Sequence, residues 1–256
     1  MDGLRGVLAL YVVVYHITLP LDLSWAFPTA LAAVVMFFGL SGYVLTRAWD
    51  GRYGSFLLRR FVRLWPVYAG SLAIGYLIAD MLPDWRAFFW YPFRAPSDPS
   101  LEAVDPPVWS LYIEAWAMPF MPLIAWAGAG PRWRLAIAGL TIIALCRFSP
   151  FFIFGAPFVI GSALARYDFR DHLLESPIAQ WLGRISYSLY LTHWLVLTIV
   201  WRMFVAWSGG AASPPKIGIL CSPMMIGVAW LVWRFIERPS ILASRHFGRR
   251  PFRTPK

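Results

Sequence analysis

Residues 4–22 read LRGVLALYVVVYHITLPLD, an apolar run of the length that crosses a bilayer, for which about 20 mostly apolar residues are needed. Seven more such runs follow, at roughly 27–46, 61–82, 109–127, 135–147, 150–166, 185–207 and 217–236. The fifth and sixth are short. Arg147, Ser149 and Pro150 between them make a tight turn, so the two are either a helical hairpin or one broken element. With 59% hydrophobic and 14% charged side chains, the 256-residue chain falls well short of the roughly 25% charge of a soluble domain. Its mean hydropathy of +0.58 also excludes disorder, which needs low hydrophobicity and high charge. These runs predict an all-α fold, a polytopic transmembrane helical bundle of about eight helices. The first run lacks a small-residue cleavage site and carries His16, so it reads as a retained helix rather than a signal peptide.

The net charge of +10 has a direction. With both termini on the cytoplasmic side, 18 of the 23 basic residues fall inside, as the positive-inside rule requires. Arg86, Arg94, Arg147, Arg202 and Lys216 are the five left outside. The largest outer loop, 83–108, is Pro-rich and carries Asp84, Asp98, Glu102 and Asp105. The charge is thus mostly a topology signal, and nucleic acid is not an expected partner. Residues 1–239 read as one membrane-embedded unit and 240–256 as a short basic cytoplasmic tail suited to anionic lipid heads. Cys146 and Cys221 sit in apolar runs and make neither a disulfide framework nor a metal site.

Ionisable groups inside membrane spans are costly and point to function. On the first helix Arg5 and His16 are eleven residues apart, which leaves both on one face and roughly 16 Å apart along the axis. A buried neutral imidazole there could serve as a general base; the ordinary alternative is a histidine bonded between helices. At the start of the third run, Arg60 and Arg63 share a face and suit phosphates, which arginine grips with two N–H groups. Snorkelling to the interface is their ordinary reading. On the fourth run Ser110 and Glu114 are one turn apart behind Pro106 and Pro107, a helix start. Glu114 could orient a histidine, hold an acceptor hydroxyl or pair with an arginine. On the seventh run Ser186, Tyr190 and His193 form one polar stripe, which must face a cavity or a neighbouring helix; Ser188 and Thr192 read as helix-packing residues. Gly39, Ser41 and Gly42 make a closely packed point in the second run. Pro239 is expected to stop the last helix, with Glu237 beside an inner arginine.

Taken in order, these motifs resemble the acyltransferase-3 family, integral-membrane enzymes that O-acylate extracytoplasmic glycans and other acceptors. Asp2-Gly3-Leu4-Arg5-Gly6 through His16 resembles the family's opening Arg-x10-His signature. Phe37-Phe38-Gly39-Leu40-Ser41-Gly42 looks like its second-helix motif, and Arg59-Arg60-Phe61-Val62-Arg63 its Arg-x-x-Arg block. Trp109-Ser110-Leu111 with Glu114, Ile185 to Leu191 with His193, and Glu237-Arg238-Pro239 complete the series. The resemblance implies an acyl-CoA co-substrate, usually acetyl-CoA, reached from the cytoplasm, with no tightly bound cofactor. It makes His16 the catalytic candidate and gives Arg60 and Arg63 a part in donor binding. The reading of the residues adds Glu114 as a second catalytic candidate, Arg5 as a further donor contact, and Ser41, Ser110, Ser186, Tyr187, Tyr190 and His193 as cavity lining. Family members commonly have about ten helices; the length missing here lies between Glu114 and Ile185.

The expected function is acyl transfer, most often of acetyl, from cytoplasmic acyl-CoA to a hydroxyl of an extracytoplasmic carbohydrate or glycolipid. His16 would act as base or as acyl carrier. The expected location is a bacterial cytoplasmic membrane. Two other readings stand beside it. One is a small transporter or flippase for an anionic or glycolipid substrate, against which the sequence shows no internal repeat. The other is a catalytically degenerate acyltransferase-like protein, suggested by the shortened middle.

Overall fold

The computed structural model describes residues 1–18, 29–83, 104–167, 171–208 and 214–247. Most of the outer loop and the basic residues from 249 onward lie outside them. Among the described residues there are helices and turns and no strand. The helices are α1 (Asp2–Thr18), α2 (Ala30–Ala48), α3 (Tyr53–Ala79), α4 (Val108–Ala117), α5 (Met121–Ala129), α6 (Arg132–Leu145), α7 (Gly155–Leu164), α8 (Pro177–Ser208), α9 (Pro214–Val232) and α10 (Arg238–His246). A short 3-10 turn, Pro150–Phe154, precedes α7, and a π-helical turn, Trp233–Glu237, joins α9 to α10.

Within the described residues each of the eight apolar runs forms helix over most of its length, and the membrane-helix class holds; residues 19–22 and 27–28 of the first two runs lie outside them. Four helical stretches are long and apolar enough to cross a membrane, and a fifth is if α4 and α5 count as one span. That pair is bent by 71°, because Pro119 at the break has no N–H to continue the helix. The expected single span over 109–127 is therefore two half-length pieces. The fifth and sixth runs are a true pair of helices, with Ser149 capping the 3-10 turn by accepting from the Phe151 backbone N–H at 3.4 Å. At 14 residues α6 is roughly 21 Å long, well short of a bilayer core.

The two ends of the chain also differ from expectation. α3 begins at Tyr53, so Arg60 and Arg63 lie two turns inside a helix. The last helix does not stop at Pro239. It runs through to His246, because the π-turn just before the proline shifts the bonding register and relieves the missing donor. α10 packs on α3, and the Ser55 hydroxyl donates to the Phe247 carbonyl.

Two buried clusters hold the bundle. The larger gathers side chains from α1 to α5, α7 and α8 around Phe38, Phe56, Leu72 and Phe158. The smaller lies between α1, α8 and α9 around Val13, Leu189 and Met225. Glycines set how closely the helices approach. A Cβ on Gly6 would sit 2.6 Å from the backbone nitrogen of Gly183, so α1 and α8 cross glycine to glycine. A Cβ on Gly42 would sit 2.1 Å from the Phe158 carbonyl oxygen, which seats α2 on α7. These crossings bring the polar faces of α1, α2, α4 and α8 together between the two clusters.

Candidate functional site

The close α1–α8 crossing turns Arg5 inward. A small chamber of about 50 Å³ forms there, lined by Arg5 from α1, Ser41 from α2, Ser110 and Glu114 from α4, and Ser186, Tyr187 and Tyr190 from α8. Seven of the residues expected at a site therefore share one space. Its walls are largely self-satisfied. Ser186 donates to the Gly183 carbonyl at 2.8 Å, and Tyr187 donates to the Leu64 carbonyl at 2.8 Å. The Ser110 and Tyr190 hydroxyls lie 2.8 Å apart, and Ser110 donates to the Pro107 carbonyl at 3.1 Å. The volume accommodates one or two waters.

Glu114 is the chamber's acidic wall. Its Oε1 accepts from Arg60 Nη2 at 2.8 Å and from the Ser41 hydroxyl at 3.2 Å. Of the roles open to it, pairing with an arginine is the one this geometry realises. It does not touch His16. The contact also corrects the depth expected from the sequence. With the N-terminus inside, the apolar runs put Arg60 at the inner start of the third span and Glu114 near the outer start of an unbroken fourth span. The earlier start of α3 and the break after α4 instead bring them to one level.

Arg60 and Arg63 stand behind the chamber rather than on its wall. The Arg60 and Glu114 side chains are 13% and 16% exposed. Glu237, 2% exposed, accepts from the Ser188 hydroxyl at 2.6 Å and lies within electrostatic reach of Arg63 and Arg5. The cluster therefore holds three guanidinium groups, Arg5, Arg60 and Arg63, against two carboxylates, Glu114 and Glu237. The Nε atoms of Arg60 and Arg63 are buried without a hydrogen-bond partner. One cation in excess and two unused donors make an anion-binding environment. Glu237, expected beside an inner arginine, has Arg63 and Arg5 within electrostatic reach. It is the one acidic residue in the sequence after Glu175.

His16 and His193 form a separate pair farther along α1 and α8, outside the chamber. His193 Nε2 is 3.1 Å from His16 Nδ1, and the rings lie 5.1 Å apart at 29°. Tyr15 and Trp194 meet the His16 ring edge-on at 5.5 and 5.4 Å. His193 is 1% exposed. Thus the α8 stripe splits: Ser186 and Tyr190 face the chamber, whereas His193 faces α1.

Two further features were not legible as site features. Asp105, just before α4, is 1% exposed, and neither carboxyl oxygen has a hydrogen-bond partner. Burial pushes its carboxyl well above the usual range, against the opposing influence of the Ser71 hydroxyl, which donates to the Tyr68 carbonyl at 2.9 Å. A larger cavity of about 630 Å³ lies on the opposite face of α4, lined by apolar groups such as Ile113, Trp116, Ile137, Ile142 and Phe158. None of the expected site residues lines it.

A family model described as an acyltransferase domain matches residues 1–174. The match covers Arg5, His16, Ser41, Arg60, Arg63, Ser110 and Glu114, and ends before α8. Among curated proteins, "Protein 2 in picA locus" of Rhizobium radiobacter is 38% identical over 81 residues, 29% of this chain. The chain covers 41% of that relative's length. No solved structure matches the chain.

Proposed function

Because the chain belongs to the acyltransferase-3 family of membrane acyltransferases, we propose that it moves an acyl group, acetyl foremost, from acyl-CoA to a hydroxyl of an extracytoplasmic carbohydrate or glycolipid. The observation that carries this reading is the buried cluster of three arginines on two carboxylates, with the Nε atoms of Arg60 and Arg63 unpartnered. Such a site attracts the phosphates of CoA. Arg5 extends the positive field into the chamber. From Arg5 the pantetheine arm would follow α1 towards His16, a climb of roughly 16 Å. With room only for water in the chamber, donor binding requires the α1–α8 pair and the α2–α4 wall to part.

His16 then supplies the chemistry. Its imidazole takes the proton of the acceptor hydroxyl as the oxygen attacks the thioester carbonyl. The C–S bond breaks, and the CoA thiolate leaves with the proton that His16 returns. The ester forms on the acceptor oxygen, and His16 ends neutral, as it began. Transfer through an acyl-His16 intermediate uses the same atom and the same acceptor. Glu114 holds Arg60 in place, so its part is to position the donor site. The inward excess of basic residues supports a bacterial cytoplasmic membrane with the donor site facing the cytoplasm.

Mass spectrometry of surface glycans, with the gene deleted and then restored, tests the reading. An acetyl difference of 42 Da per hydroxyl (roughly, by the mass of an added ketene unit, as acyl transfer to a hydroxyl requires) should vanish on deletion and return with the wild type. It should not return with His16→Ala at equal protein level. Unchanged glycans, or full rescue by His16→Ala, would overturn it.

A further inference from the structure

The hydrogen bonds around the two histidines fix which nitrogen carries each proton. His193 Nδ1 lies 2.7 Å from the Tyr190 carbonyl oxygen and 3.2 Å from that of Leu189. Carbonyl oxygens only accept, so Nδ1 of His193 carries the hydrogen. A neutral imidazole has one ring N–H, and His193 is almost fully buried, where the charge brought by a second proton would be costly. Its Nε2 is therefore an acceptor. The atom facing it at 3.1 Å, His16 Nδ1, must then be the donor. The Val12 carbonyl, one turn back on α1, also accepts from the His16 ring, so the Nδ1–H is shared between Val12 and His193 and the lone pair is left on Nε2.

From this we infer that His193 is a positioning residue: it holds His16 as the Nδ1–H tautomer and so makes Nε2 the nitrogen that accepts the proton. The inference rests on the acyl-transfer reading for its role, though not for its geometry. The arrangement is that of a base oriented by a third group, with a neutral imidazole where a carboxylate could stand. That choice suits the place. An unpaired carboxylate among apolar helices would carry a large desolvation cost, whereas a neutral ring with its Nδ1–H given to α8's own carbonyls carries little. The same bond serves both states of His16. When Nε2 takes up a proton, Nδ1–H goes on donating to His193 and the bond becomes charge-assisted, hence stronger. Nothing has to rotate. Tyr15 and Trp194, both edge-on at 76°, keep the ring from swinging away.

Two substitutions separate positioning from packing. His193→Phe keeps a ring of similar size and removes the acceptor; His193→Gln restores a carbonyl acceptor at similar reach. The assay is acetyl-CoA turnover by the purified protein in lipid nanodiscs, read as CoA thiol released with water as acceptor. His193→Phe should lower kcat by about 100-fold or more, with KM for acetyl-CoA within about twofold, since a misprotonated base forfeits most of the general-base contribution. His193→Gln should regain at least about tenfold of that loss. A kcat for His193→Phe close to wild type, or a Gln variant as slow as Phe, would overturn the inference. A second measurement stands apart from turnover. Solid-state 15N NMR of ring-labelled wild type should show the His16 proton on Nδ1 with Nε2 bare. A proton on Nε2 would refute the inference even in an active enzyme. The expected spectrum in a protein without acyl-transfer activity would uphold the tautomer and refute only the function.

Discussion

Removing the carboxylate of Glu114 should destabilise the bundle more than any other single change in the chamber. Glu114 meets Arg60 at 2.8 Å with both side chains mostly buried, and it also takes the Ser41 hydroxyl. In Glu114→Ala, Arg60 keeps its charge beside Arg5 and Arg63, and Glu237 alone remains to balance three cations. Breaking a buried pair from one side costs about 3–5 kcal/mol, most of it the penalty of the stranded charge. Replacing both partners with apolar residues of like volume, Arg60→Met with Glu114→Leu, removes that penalty. The double variant should sit within about 1–2 kcal/mol of wild type. With Arg60→Met and Glu114→Leu as the singles, each losing about 3–5 kcal/mol, the cycle has a coupling energy of about 4 kcal/mol or more, above the usual range. Thermal unfolding in detergent, followed by tryptophan fluorescence and by size exclusion after heating, reads all three. If the single losses add to within about 0.5 kcal/mol, the two groups do not share a buried pair and the cluster's charge balance is wrong. The double variant should also lose acyl-CoA binding despite its recovered stability.

Gly42→Ala should cost about 1–3 kcal/mol, because its methyl group would meet the Phe158 backbone. Gly54→Ala, where a Cβ meets nothing, should be neutral or slightly stabilising, and parallel melting curves compare the two. Ser188→Ala removes the 2.6 Å donor to buried Glu237 and should lower stability by about 1.5–3 kcal/mol, as for hydrogen bonds to charged groups. Asp105 has its folded-state pKa raised by burial, so ionising it opposes folding. Stability should rise as pH falls from the folded pKa towards the unfolded value near 4. Asp105→Asn should remove that slope and raise the melting temperature at pH 8, which unfolding scans between pH 5 and 8 will show.

Much of the architecture is written in the chain's apolar runs. The all-α membrane class, the shared face of Arg5 and His16, and the α8 stripe all follow from a 3.6-residue period applied to runs such as 4–22. The inner ends do not. Tyr53 to Arg60 is too polar to count as apolar span, yet it is helix, and α10 packs against α3 with Ser55 bonded to the Phe247 carbonyl. The break after Ala117 turns on one proline among apolar residues, and hydropathy cannot see it. The continuation through Pro239 depends on a π-turn, which no local pattern announces. At the site, periodicity places Ser186, Tyr190 and His193 on one face of α8, but the face is wide enough to meet two neighbours. Which residue meets α1 and which meets α4 depends on the Gly6–Gly183 crossing angle. The Arg60–Glu114 pair spans 54 residues and is a product of tertiary packing alone.

The central claim is that His16 is the group that handles the acceptor's proton or the acyl group. Purified wild type and His16→Gln, each in nanodiscs and matched for folded protein by melting curve, should be given radiolabelled acetyl-CoA. Wild type should turn over and the variant should lose about 100-fold or more, with acetyl-CoA binding retained through Arg60 and Arg63. Turnover by His16→Gln at the wild-type rate would contradict it.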